Sequence, residues 1–154
     1  MAAGKLNALL EREVSRDLFD SHQLLTKWPL DAEKIRLAFT VYTAMRKQSW
    51  QQIKVDNVKF SVKDIRDKLV PVLKESELPD TLFPAIQSWA IRLVDECKDM
   101  LRIVLPFRKN EIEFLEQVQR YGEIQPELIS DDRNFCERVR RHPLLHWRKQ
   151  QRSK

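Results

Sequence analysis

Two glycines in 154 residues constrain this chain more than any single motif. Gly4 and Gly122 are the only residues that can turn the backbone left-handed at no steric cost. Tight two-residue hairpins need several such positions, and Gly-rich phosphate loops need them clustered. A fold built on either is disfavoured. The apolar residues, 42% of the chain, recur at helical spacing almost throughout. The expected fold class is all-α, a helical bundle of about seven helices with short connections.

Leu6, Leu9 and Leu10 mark a first short helix. Ser15 is placed to N-cap a second, with Asp17 in the first turn where a carboxylate suits the helix dipole, and Pro29 stops it. Asp31 N-caps a third, with Ile35, Ala38, Tyr42 and Met45 spaced as one face. Around IKVDNVKF the period weakens, and a short extended piece is expected. Ser61 and Asp64 give a capping-box-like S-x-x-D, and Pro71 kinks or breaks the helix that follows near Val70. The clearest helix spans 81–104, with Leu82, Ile86, Trp89, Leu93, Cys97, Met100 and Val104 on one stripe and Pro106 ending it. Ile112, Leu115 and Val118 mark another, with Gly122 as its C′ residue. Two short helices follow, one from near Asp131 and one from Pro143, a good first helical residue after His142. The four tryptophans read as packing anchors.

The length suits a single helical domain over residues 1–154. No apolar run approaches the roughly 18–20 residues of a membrane span, and no basic-then-apolar leader is visible. Cys97 and Cys136 lack CxxC spacing. They read as two reduced thiols of a cytoplasmic protein. The net charge of +5 is uneven. Residues 132–154 hold eight Lys/Arg against Asp132 and Glu137, a net +6, so the other 131 residues sum to −1. A basic end of this kind is either a nucleic-acid footprint or a solvated tail. Arg138, Arg140, Arg141, Arg148 and Lys149 are the candidate RNA contacts.

Three stretches could carry chemistry. HPLLH sets His142 and His146 four apart, a zinc-ligand spacing on a continuous helix. Pro143 instead puts His142 at a cap, and no Glu or Cys stands beside the pair, so no metal ligand is assigned. SDDRNFCERVRR has adjacent carboxylates, but acids followed by arginines also make an ordinary helix with its dipole complemented. The third stretch is the opening, AGKLNALLEREVSRDLFD. Lys5, Arg12 and Arg16 stand close to Asp17 and Asp20, and the two aspartates share one side of the second helix. A lysine for phosphate oxygens and a carboxylate held by arginines are parts of a phosphate-handling site, and a charged helix surface is the plainer reading.

AGKLNALLER followed by SRDLFDSHQLL resembles the third and fourth motifs of the AbiEii/AbiGii nucleotidyltransferase toxins of bacterial abortive-infection, type IV toxin–antitoxin systems. LPFRKNEIEFLEQVQRYGEIQPELISDD and RHPLLHWRK resemble that family's C-terminal segment. Residues 27–104 carry little beyond helical periodicity. The resemblance divides the chain into the two motifs at 1–26, a helical core at 27–104 and the family C-terminal segment at 105–154.

The family implies a nucleotidyltransferase-fold half bearing Gly-Ser and Asp-x-Asp motifs that bind Mg²⁺ and NTP, completed by a helical half. By that resemblance Lys5 contacts nucleotide phosphates and Asp20 is the motif aspartate, both catalytic. Arg12, Arg16 and Asp17 hold them in place. It also implies nucleotide transfer to an acceptor such as tRNA, a winged-helix antitoxin encoded nearby, and phage defence as the biological setting.

No Gly-Ser followed by Asp-x-Asp occurs in these 154 residues. Metal-assisted phosphoryl chemistry needs such carboxylates. The expectation is therefore a C-terminal portion, catalytically silent alone, with the metal-binding N-terminal half lying outside it. Such a portion is expected to expose apolar surface on its first two helices. The alternative is a non-catalytic helical module that binds RNA or a protein partner through its basic C-terminus.

Overall fold

The computed structural model describes residues 1–78 and 85–152. Among them the chain is all-α, with eight α-helices and no strand. They are α1 (Ala2–Glu11), α2 (Ser15–Lys27), α3 (Ala32–Met45), α4 (Val62–Asp64), α5 (Ala85–Met100), α6 (Lys109–Glu116), α7 (Arg133–Arg140) and α8 (Pro143–Arg152). The chain separates into two compact units. One comprises Met1–Leu30 with Lys54–Ile103, the other Asp31–Ile53 with Val104–Lys154.

In the first unit, α2 packs against both α1 and α5. Leu6, Leu10, Leu18, Ile65, Ile86 and Leu93 are essentially inaccessible. Each such side chain contributes on the order of 1.5–3 kcal/mol of burial free energy. Phe19 and Trp89 meet with ring centroids 6.2 Å apart. The apolar exposure expected on the first two helices falls at their ends rather than along them. Leu6, Leu9, Leu10, Leu18 and Phe19 are all buried within this unit, and the exposed large apolar residues of that stretch are Met1, Val14 and Trp28.

Two local expectations are corrected here. The extended piece at IKVDNVKF is a 3₁₀ turn, Val55–Asn57. Asn57 Nδ2 donates to the carbonyl of Leu10 at 3.1 Å, so the turn caps the end of α1 and needs no ladder partner. Ser15 is already helical, with Val14 at the N-cap position and no local side-chain cap. Its amide donates instead to Asp64 Oδ2 at 2.9 Å, a cap supplied from 49 residues away.

At α4, Ser61 Oγ accepts from the Asp64 amide as expected. The Asp64 carboxylate, however, is turned to Ser15 and Lys68 rather than back to Ser61. The missing N–H of Pro71 is accommodated by a widened π turn, Ile65–Leu69, closed by a 3₁₀ turn, Val70–Val72. On α5 the stripe holds for Ile86, Trp89, Leu93 and Cys97, whereas Met100 is exposed. Leu82 lies outside the described residues.

The second unit is centred on Val41, Ala44, Phe114, Leu115, Val118, Val139 and Leu145. Asp31 Oδ1 accepts from the Lys34 amide and caps α3 as read from sequence. The buried face of α3 is a different one. Ile35, Arg36, Phe39, Thr40 and Thr43 point inward, while Tyr42 is exposed. Polar residues can occupy that face because each is satisfied. Thr40 and Thr43 hydroxyls donate to the carbonyls of Arg36 and Phe39, and Arg36 forks onto Glu111 at 2.6 and 2.9 Å.

α6 runs on through a π turn, Gln117–Tyr121, and ends at Gly122 with φ +69°. Asp132 caps α7 through the Phe135 amide. Of the tryptophans, Trp89 is buried and Trp50 partly so, but Trp28 and Trp147 are exposed, so they do not anchor the core.

Candidate functional site

α1 and α2 are joined by the three residues Arg12–Val14, which turn the chain so that the two helices pack side by side. Leu6, Leu9 and Leu10 of α1 and Leu18 and Phe19 of α2 are buried in that packing. Each helix thereby presents its charged residues beside the buried seam. Lys5 Nζ lies 2.8 Å from Asp20 Oδ2, and Arg16 Nε holds the other oxygen, Oδ1, at 3.1 Å. Arg12 forks onto Asp17 at 2.7 and 3.2 Å. The five opening candidates therefore form two ion-paired groups on the same helix pair, Lys5–Asp20–Arg16 and Arg12–Asp17.

The pairing leaves Lys5 usable. Its side chain is 42% exposed and Asp20 is 26% exposed. An ammonium has three donors, and Asp20 takes one. The cluster is anchored from beneath by Ser21, whose hydroxyl donates to the Lys5 carbonyl at 3.5 Å. Two residues along α2, His22 Nε2 meets Glu96 Oε2 of α5 at 2.5 Å, tying the same helix to the rest of the unit.

The family model for the AbiEii nucleotidyltransferase toxin of type IV toxin–antitoxin systems matches residues 1–103. That is two thirds of the chain, and it includes Lys5, Asp20 and all of the first unit. The chain belongs to the AbiEii family. No curated protein and no solved structure matches it.

The AbiEii match runs through 27–103, where the sequence by itself offered little but periodicity. It ends at Ile103, where the first unit ends. Among the described residues no three His, Cys, Asp or Glu side chains converge as metal ligands. Asp17 and Asp20 are engaged by cations on both of their oxygens, Asp20 by Lys5 and Arg16 and Asp17 by Arg12. No helix among the described residues is long and apolar enough to cross a membrane.

Three of the basic candidates of α7 and α8 border separate cavities. Arg138 lines an apolar groove with Tyr42 and His142. Arg140 pairs with Glu127 and borders a second cavity with Arg133. Arg148 lines a third, with Lys47, Trp50 and Arg120. Arg141 is the C-cap of α7, and the Lys149 stem packs against Gly122. Sequence reading missed Asp64 as the distant cap of α2. It also missed Lys47 and Arg120, which no local pattern singles out.

Proposed function

We propose that this AbiEii chain supplies the phosphate-handling lysine and its aspartate to a nucleotidyltransferase site, and that the metal-binding carboxylates come from a Gly-Ser/Asp-x-Asp segment outside these residues. The reading is supported chiefly by the 2.8 Å contact between Lys5 and Asp20, two motif residues fifteen apart brought together by the α1–α2 packing. Asp20 holds Lys5 in one orientation while leaving ammonium donors directed away from it. A pre-placed cation of this kind stabilises charge on the phosphates of an incoming NTP without reorganising at the moment of reaction.

Arg16 balances the second oxygen of Asp20, and Arg12 with Asp17 fixes the start of α2. In the reaction an acceptor hydroxyl oxygen forms a bond to the α-phosphorus, its proton passes to solvent, and the bond to pyrophosphate breaks. Mg²⁺, when bound by the other segment, supplies charge neutralisation. The acceptor proposed is tRNA, and the partner proposed is a winged-helix antitoxin.

The test is label transfer from NTP to total tRNA with Mg²⁺. The chain alone is expected to give none. Adding the Gly-Ser/Asp-x-Asp segment is expected to restore transfer, and Lys5→Ala and Asp20→Ala each to abolish it. Transfer by the chain alone would overturn the division of the site. Near-normal transfer by either variant in the restored assembly would remove that residue from it. Salt-sensitive RNA binding with no transfer in the restored assembly would favour the non-catalytic module instead.

A further inference from the structure

The second unit holds a polar cavity of about 350 Å³ lined by Lys47, Ser49, Trp50, Glu116, Arg120 and Arg148, among others. Its named charges are three cations and one carboxylate, a net +2. Neither Lys47 nor Arg120 lies within ion-pair distance of a carboxylate among the described residues. Lys47 Nζ sits 5.6 Å from the Trp147 ring centroid, and the Arg120 guanidinium 5.5 Å from that of Tyr121. Glu116 lines the same cavity without neutralising either. Two exposed cations facing a concave polar space, held by aromatic faces rather than by acids, are suited to an anion.

The wall is also preorganised. Gln119 is buried on the π turn that ends α6, next to Arg120. Its Oε1 accepts from the Trp50 amide at 2.9 Å. Its Nε2 donates to the carbonyls of Thr43 and Gln48 at 3.1 and 3.2 Å. One side-chain amide therefore pins the whole 46–50 connection that carries Lys47 and Trp50. Trp50 is fixed in turn by an edge contact to Phe107 at 6.2 Å. A solvated charged face would not need its backbone tied down from within, whereas a recognition wall gains affinity from not having to be ordered on binding.

We propose that this cavity binds a phosphate group, with Lys47 and Arg120 as its direct ligands and Gln119 as the positioning residue behind them. A phosphomonoester carries about −1.5 to −2 charges at neutral pH, which matches the net charge of the lining. A volume of about 350 Å³ accommodates the phosphate and the sugar attached to it. The phosphate can come from a free nucleotide or from a single-stranded RNA. The site uses none of the residues of the Lys5–Asp20 cluster.

The test is ¹⁵N NMR of the full chain titrated separately with inorganic phosphate, 5′-AMP and a short single-stranded RNA. The side-chain amide of Gln119 and the backbone amide of Trp50 are expected to shift with at least one of them. A response to AMP assigns a phosphomonoester, and a response to RNA alone assigns the strand. For the strand, Lys47→Glu with Arg120→Glu is expected to weaken binding by roughly tenfold or more and lower the salt slope by about 1.4. Lys59→Glu with Lys63→Glu, the same charge change on exposed lysines of the first unit, is expected to leave binding within about twofold.

The direct titration needs no variant to fold. Unmoved Gln119 and Trp50 signals with all three probes would overturn the proposal, as would equal losses in the two double variants. Label transfer in the restored assembly reads the Lys5–Asp20 pair, whereas the Gln119 and Trp50 shifts read this cavity, so failure of the one and failure of the other are separate outcomes.

Discussion

Lys5 of α1 and Asp20 of α2 form an ion pair at 2.8 Å on a seam where Leu6, Leu9 and Leu18 are buried. Burial beneath and exposure above separate the two consequences of breaking the pair. Both side chains are partly solvated, so Lys5→Ala or Asp20→Ala is expected to cost no more than about 1 kcal/mol of stability. In the restored nucleotidyltransferase assembly the same variants are expected to lower transfer by roughly a hundredfold or more, the scale of losing a preorganised electrostatic contact. Urea unfolding and initial-rate measurements on the same preparations check both. A loss of several kcal/mol would make the pair a structural element instead.

The Arg36–Glu111 pair of the second unit is expected to behave oppositely. Its side chains are 7% and 5% exposed. Arg36 also donates to the Pro106 carbonyl at 2.6 Å, and Glu111 also accepts from the Arg108 amide at 2.7 Å. Removing one partner strands a buried charge, at a cost of about 3–5 kcal/mol. Replacing both by Met and Leu removes the desolvation cost along with the attraction, and is expected to be milder than either single change. Thermal unfolding of Arg36→Ala, Glu111→Ala and Arg36→Met/Glu111→Leu tests the order.

Asp64 ties pH to the packing of α2. Lys68, then the Ser15 hydroxyl and amide, hold its carboxyl down from the usual 3.8 to about 2. Because the folded value is the lower one, the unfolded chain binds the proton more readily. The stabilisation is complete above the ordinary carboxylate range and is lost as pH falls from about 4 towards 2. Asp64→Asn removes this contribution. The urea midpoints of wild type and variant are expected to differ at pH 6 and to converge as pH is lowered to about 2.5. A gap that stays constant would mean that the carboxylate charge is not what holds Ser15.

What was legible in the sequence follows from what is local. Asp31, Ser61 and Gly122 act within a few residues of themselves, and the structure uses all three as read. The α1 seam was legible because leucine spacing there is unambiguous. The α3 face was misread because apolarity was taken as the guide. Arg36, Thr40 and Thr43 face inward only because Glu111, 75 residues away in sequence, and neighbouring carbonyls satisfy them. Ser15 shows the same limit: its cap is Asp64, and no window around Ser15 contains it. Lys5 and Asp20 were legible as a motif. That they touch depends on the α1–α2 turn, which spacing alone does not fix.

Cys97 offers a probe of whether the first unit stays closed. It is fully buried on α5, with Sγ 4.0 Å from the Leu18 carbonyl of α2. Burial, reinforced by the Glu96 charge, pushes its thiol up to about 12. At pH 8 only about one thiol in ten thousand is then ionised, and the thiolate is the species that reacts. Cys136 of α7 is also buried and its thiol is likewise raised, by burial and then by Asp132 and Asp131. Iodoacetamide at pH 8 is therefore expected to leave both cysteines unmodified in the native chain and to modify both in urea. Peptide mapping distinguishes them. If Cys97 alone reacts under native conditions, α2 must separate from α5 on the labelling timescale, and the Lys5–Asp20 geometry would be transient in the isolated chain. Protection of Cys97 through labelling times that exhaust an unfolded control is the expected result, because Leu18, Ile86 and Leu93 are sealed in the same core.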